Sequence, residues 1–448
     1  MEKMMNNCEK KAKRKLVWWK KIIVIVAILL AVIVAFSVFS FVMIRHFTGD
    51  SLSFKGTLSM LGYSGLNLPK GISKYILDVD RSYDGLPELL TANDGSAVSS
   101  TEEYSSRRNE ILEKVETYLY GKTPNEGFET AFELVESGEA LDGKAIREQV
   151  RITVSTEKGS HEVMLLIYRP KDKTNVPMFV GENFNGNTTI ASDDNILPSY
   201  SQSGEIKYGE NSDFVNLLIE NGCGVATTAY TDWAPDTEED YRNGVLKLFP
   251  QNNETAFSAW SFGIMRTIDY LYSQSYVNKE AVVSYGHSRL ARVSLWAGAQ
   301  DERITLVTSS CGGGLFRSDI AGKITTTSNS DHWFTEKYFS FEGNDNALPV
   351  DMHMLMALTA DRHLYISMGA SDLAADPVGT FDALQKAKVV WELYGVKVIP
   401  DMDYYDLKED VPVFSDGIAT HVHKGAHALT NKDFAFYIEY LNEYVLGK

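Results

Sequence analysis

From residue 176 onward the chain alternates short β-rich or apolar runs with longer segments of helical spacing, and this alternation restricts the fold more than any other feature. Strands are expected at 176–180, 224–229, 281–285, 304–308, 364–368 and 397–401. Helices are expected at 214–221, 256–272, 290–298, 353–358, 380–394 and 433–445. Such an order gives an α/β fold with a mostly parallel central sheet covered on both faces, since each parallel pair needs a crossover that a helix supplies. Ahead of it, runs at 145–156 and 162–168 around a Lys-Gly-Ser turn read as a hairpin feeding the same sheet. Ile111, Leu112, Val115, Tyr118 and Leu119 give a helix over 105–120, stopped by Gly121 and Pro124.

The N-terminus follows different rules. Residues 22–44 form a 23-residue apolar run without a charge, long enough at about 1.5 Å per residue to span a hydrocarbon core of roughly 30 Å. Residues 1–21 carry eight Lys/Arg against two Glu, which keeps that end cytoplasmic and sends the C-terminal mass across the membrane. The run is long and no Ala-x-Ala site follows it, so a retained signal-anchor is expected rather than a cleaved signal peptide. Residues 45–85 read as a lead-in and 86–448 as one folded domain of the cell exterior.

The whole chain carries a net charge of −17 although its first 21 residues are basic, so the remainder is strongly acidic. That leaves no electrostatic basis for nucleic-acid binding. Three cysteines are too few for a disulfide framework. Only Cys223–Cys311 could pair outside the cell, and the apolar strand around Cys223 argues for a buried free thiol instead.

Between the strand ending at Tyr285 and the next helix lies Gly286-His287-Ser288-Arg289. A serine on a sharp strand-to-helix turn lifts its oxygen over the sheet edge, and a small neighbour such as Gly286 permits the bend. Leu290 stands where such turns usually have a second glycine, and the bland role for Ser288 is a helix N-cap. Asp372 follows the strand at 364–368, and His427 precedes the last helix. The order Ser288, Asp372, His427 is that of α/β-hydrolase nucleophile, acid and base. His427 would take the Ser288 proton, and Asp372 would hold the imidazole in the required tautomer. Asp376 is the other acid available, but the adjoining Pro377 suits it to setting a turn. His421, His423 and His427 make an H-x-H-x-x-x-H run, yet neither an H-E-x-x-H helix nor a Cys/His cluster supports a metal, so His421 and His423 are read as structural.

These residues, with Tyr120-Gly121-Lys122-Thr123-Pro124, Asn183-Phe184-Asn185-Gly186-Asn187, Pro235-Asp236, His332-Trp333-Phe334 and Ala375-Asp376-Pro377, make the chain resemble the bacterial glucuronoyl esterases of carbohydrate esterase family fifteen. The resemblance runs from about residue 86 to 445. It implies the three-layer α/β-hydrolase sandwich and hydrolysis, without cofactor, of an ester between a glucuronic acid side group of xylan and an alcohol. Carried onto matching positions, it makes Ser288 the nucleophile, Arg289 an oxyanion donor with the Asn183–Asn187 loop, His427 the base, and Trp333 a sugar contact. Where the family has Gly-Lys after the serine-arginine pair, this chain has Ala291-Arg292, which keeps the charge toward a uronate but changes its shape. Two rival readings follow: an acetyl or other carbohydrate esterase, and a membrane-tethered glycan-binding domain without chemistry.

Overall fold

The computed structural model describes residues 85–203, 209, 212–250, 253–316 and 330–448. The expected basic tail, membrane segment at 22–44 and nearly all of the lead-in lie outside these residues. Among the described residues no helix is long and apolar enough to cross a membrane.

Ten strands form one sheet: β1 (Glu129–Ala140), β2 (Ala145–Thr156), β3 (Gly159–Pro170), β4 (Val176–Asn183), β5 (Gly224–Ala229), β6 (Val277–Tyr285), β7 (Leu306–Ser310), β8 (His363–Gly369), β9 (Val413–Phe414) and β10 (Ile418–His423). Their order is β1-β2-β3-β5-β4-β6-β7-β8-β10-β9. β5, β4, β6, β7, β8 and β10 run parallel, while β1, β2, β3 and β9 join antiparallel at the two margins.

The main helices are α1 (Thr101–Tyr118), α2 (Ser212–Glu220), α3 (Ala256–Ser273), α4 (Arg289–Gln300), α5 (Met352–Ala357), α6 (Pro377–Ala387) and α7 (Asn431–Tyr440). Period-two alternation divides the strands between two cores. Leu165, Ile167, Met178 and Val180 face the core holding Trp260 of α3 and Trp296 of α4, whereas Leu166, Tyr168 and Phe179 face the core holding Leu218 of α2 and Tyr437 of α7. The sheet is thus the middle of three layers. Caps set the helix starts: Ser100 and Glu103 form a reciprocal capping box at α1, four residues before the expected start, and Thr430 with Asp433 does the same at α7.

Three expectations need correction. Residues 397–401 are not a strand, because Pro400 has no N–H for a ladder and the segment instead packs Ile399 inward. The sixth parallel position belongs to β10, whose Thr420, His421 and His423 hid it from an apolar search. The expected helix at 380–394 is two, Pro377–Ala387 and Val389–Leu393, separated at Lys388. Edge strand β1, mostly solvent-facing and rich in Glu, gave no apolar run to read. Cys223 and Cys311 are both free and buried.

Candidate active site

The C-terminal ends of β4, β6, β7, β8 and β10 deliver every residue singled out at the turn and its partners. At the end of β6, Gly286 lets the chain double back: a Cβ there would meet the Leu290 carbonyl oxygen at 2.0 Å. Ser288 follows with φ 58° and ψ −129°, a left-handed conformation costly for any residue with a Cβ. It stands at the N-cap of α4, yet its side chain makes no capping hydrogen bond, so the hydroxyl is not engaged as an ordinary cap. The Ser288 N–H donates to Ser310 O at 2.9 Å and Ser310 N–H to Gly286 O at 3.0 Å, which clamp the strained turn onto β7. Leu290 is buried in the core in place of the second glycine, and Ala291 lies against Gly312.

Asp372, 1% exposed, follows β8, and its Oδ2 accepts from His427 Nδ1 at 2.7 Å. The His427 ring lies 4.4 Å, centroid to centroid, from that of His287, the residue next to Ser288. The structure therefore brings the acid and the imidazole together beside the serine turn. Burial, reinforced by His427, drives His287 down to about 3, so this ring is neutral and adds no charge beside His427. Asp376 does something else. It is the N-cap of α6, with φ 49° and Oδ1 accepting from Gly379 N–H at 3.0 Å.

At the tip of β4 the Asn183–Asn187 loop holds itself rigid. Asn183 Nδ2 donates to Asn187 Oδ1 at 2.9 Å and to Thr227 Oγ1 at 3.2 Å, and Asn187 Nδ2 donates to Met164 O at 2.7 Å. The Asn187 N–H already donates to Ser199 Oγ at 2.9 Å. In this structure the Asn187 N–H and one hydrogen of its amide, like both amide hydrogens of Asn183, serve to shape the loop expected to supply an oxyanion donor. Phe184 and Asn185 remain exposed at the tip. A cavity of about 520 Å³ opens between that tip, His287 and Leu429. Beneath the loop, burial and the nearby Asp232 hold the Glu182 carboxyl well above its ordinary range.

The other side of the turn is organised by a residue to which the sequence reading gave no role. Asp236 accepts from Trp333 Nε1 at 2.7 Å, His332 Nε2 at 2.8 Å and Tyr230 Oη at 2.9 Å, and pairs with Arg289 Nη1. Burial alone would raise it, but these hydrogen bonds and the Arg289 charge win and bring it to about 2. Arg289 is consequently fixed 4.8 Å over the Trp333 ring. Its own N–H, in the first turn of α4, has no acceptor within the helix. Arg292 Nε donates to Gly312 O, with its guanidinium 5.2 Å over Phe316. The only sequence signal for Asp236 was its place in a motif; nothing local told that four separated donors converge on it.

His421 and His423 lie on β10 behind the His427 loop. With Asp433 they place ligand-type atoms within 4.8 Å of one another, and each of those atoms has a hydrogen-bond partner in the protein.

A family model for fungal glucuronyl esterases matches residues 184–395. A carbohydrate esterase from an unknown prokaryotic organism is 32% identical over 81% of this chain and 90% of its own length. Among solved structures, a promiscuous esterase of carbohydrate esterase family 15 from a marine bacterial metagenome is 30% identical with TM-score 0.71, over 81% of this chain and 99% of that one. A glucuronoyl esterase from Solibacter usitatus is 31% identical with TM-score 0.73, over 80% and 96% respectively.

Proposed function

Because the chain belongs to carbohydrate esterase family 15, we propose that it is a glucuronoyl esterase that hydrolyses uronic acid esters of glycans through a Ser288-His427-Asp372 triad. The observation that carries this reading is the strained, uncapped Ser288 beside an imidazole held by Asp372. His427 takes the Ser288 proton as the hydroxyl attacks the ester carbonyl, and Asp372 steadies the imidazolium that forms. The Arg289 N–H and the tip of the Asn183–Asn187 loop receive the negative charge growing on the carbonyl oxygen. His427 then protonates the departing alcohol, and water, activated by the same imidazole, releases the acid from the acyl-enzyme.

Two cationic groups and an indole flank the turn, which suits a sugar that bears a carboxyl-derived group: Arg289, stacked on Trp333 and held by Asp236, and Arg292 bring hydrogen-bond donors and charge. Arginine at 292 favours a second, broader reading as an esterase of other carbohydrate esters, since its planar fork does not reproduce a lysine ammonium. Residues 1–21, 22–44 and 45–85 serve in this proposal as cytoplasmic tail, membrane anchor and lead-in, with 86–448 as the extracytoplasmic esterase domain.

The test is to measure methanol released from methyl glucuronate and acetate released from acetylated xylan. Methanol release that Ser288→Ala lowers by about 10⁴-fold or more is the expected outcome. Acetate release without methanol favours the broader reading, and a Ser288→Ala variant as active as the parent excludes the triad.

A further inference from the structure

The segment between His423 and α7 carries His427, and one buried carboxylate governs both of its ends. Asp433, in the first turn of α7, takes the Thr430 N–H at 2.6 Å and the Thr430 hydroxyl at 2.5 Å on Oδ2. Its Oδ1 lies 2.7 Å from His421 Nε2 and 3.0 Å from His423 Nδ1. The other nitrogen of His423, Nε2, lies 3.1 Å from the carbonyl oxygen of Ala426, the residue before His427. His421 and Asp433 are fully buried and His423 is 2% exposed.

Proton counting decides the state of this ring. A carbonyl oxygen only accepts, so Nε2 must carry a hydrogen. Asp433 is ionised: burial opposes its charge, but the hydrogen bonds from His421 and His423 outweigh burial and hold it well below the carboxylate range. An ionised carboxylate also only accepts, so Nδ1 must carry a hydrogen as well. His421 differs, because its Nδ1 lies 3.0 Å from Tyr365 Oη, which can donate to it.

We propose that His423 is an imidazolium clamp, a positioning residue whose two N–H groups tie the Ala426 carbonyl to Asp433 and so aim His427 at Ser288. The proposal rests on His427 being the catalytic base. The same loop is held from β8's end by Ser371 N–H to Gly425 O at 2.8 Å and by the Asp372–His427 bond, while beyond His427 the Ala428 carbonyl receives Ser310 Oγ at 3.5 Å and Cys311 Sγ at 3.7 Å; the His423 bond is the one that holds the Ala426 carbonyl. Charged and titratable groups face the ring from every neighbouring element: Asp433 on α7, Asp372 after β8, His421 on β10, His287 on the serine turn and Asp410 before β9. Burial works against the charged ring, but the hydrogen bond and charge of Asp433, helped by Asp372, raise His423 above the ordinary imidazole value of 6.5. A raised value means the clamp is complete below 6.5 and is lost as pH climbs through the folded-state value.

The experiment compares the full-length chain with His423→Gln, Asp433→Asn and Thr430→Ala on methyl glucuronate from pH 5 to 10, after subtraction of spontaneous hydrolysis. The two N–H groups of glutamine sit on one nitrogen, so they do not span two acceptors that lie at opposite edges of the imidazole. The expected result is a kcat lowered about 10- to 100-fold in His423→Gln with KM within about twofold, as for a lost positioning contact. The alkaline limb of the parent should be absent from that variant. Asp433→Asn removes the charge that raises His423, so its alkaline limb should move toward acid by about one pH unit or more. Thr430→Ala, which loosens the helix start and leaves the ring alone, should keep the limb where the parent has it. A His423→Gln enzyme with parental kcat, or Asp433→Asn with an unmoved limb, overturns the clamp even if one variant folds poorly. A parent that neither hydrolyses ester nor labels at Ser288 with a fluorophosphonate overturns the esterase reading, and the clamp falls with it.

Discussion

Asp236 illustrates how one side chain sets the electrostatics of a whole rim. Four donors from three separated stretches of sequence converge on it, and one of them, Arg289, adjoins the serine. Replacing Asp236 by Asn keeps the shape but leaves Arg289 without its carboxylate. We expect kcat/KM to drop about tenfold to a hundredfold, less than the 10²–10³ loss typical of deleting an oxyanion donor outright. The stability signature has a definite sign. A carboxyl lowered to about 2 stabilises the fold above its unfolded value of 3.8, and that contribution vanishes as pH falls through about 2. The melting temperature of the parent should therefore exceed that of Asp236→Asn at pH 7 and approach it at about pH 2. A constant gap across that range would show the loss to be one of packing.

At the scale of elements, the β6–α4 turn was legible because its requirement is local. Only glycine clears the Leu290 carbonyl at position 286, and the residues around it carry the family pattern. Gly286→Ala should cost roughly 1–3 kcal/mol through displaced backbone, read from urea midpoints, with activity lost at least in proportion. β10 was illegible for the opposite reason. Its histidines are buried because Asp433 and Tyr365 satisfy them from α7 and β8. A strand whose inward face is histidine does not look like a strand until its partners are in place. The lost strand at 397–401 shows the same limit: an alternating pattern marks surface and interior, whereas Pro400 decides that no ladder forms.

For the molecule as a whole, we propose a membrane between the basic residues 1–21 and the acidic domain. We propose that residues 22–44 anchor the chain there. The expected outcome is that full-length chain stays in the pellet after alkaline carbonate washing of membranes, and that protease added outside intact cells releases active esterase. Extraction by carbonate into the supernatant would rule out a spanning anchor.

The sequence by itself determined most of the strand–helix alternation and the place of the serine turn, and it offered Ser288, Asp372 and His427 in the order a hydrolase triad would need, because each depends on periodicity or on a few adjacent residues. Tertiary structure alone decided that Asp372 rather than Asp376 bonds His427, turned the side chains of Asn183 and Asn187 inward to brace their loop, and made Asp236 and Asp433 centres of their networks. Those outcomes depend on hydrogen bonds between groups dozens of residues apart, whose geometry exists only once the sheet has aligned the strand ends.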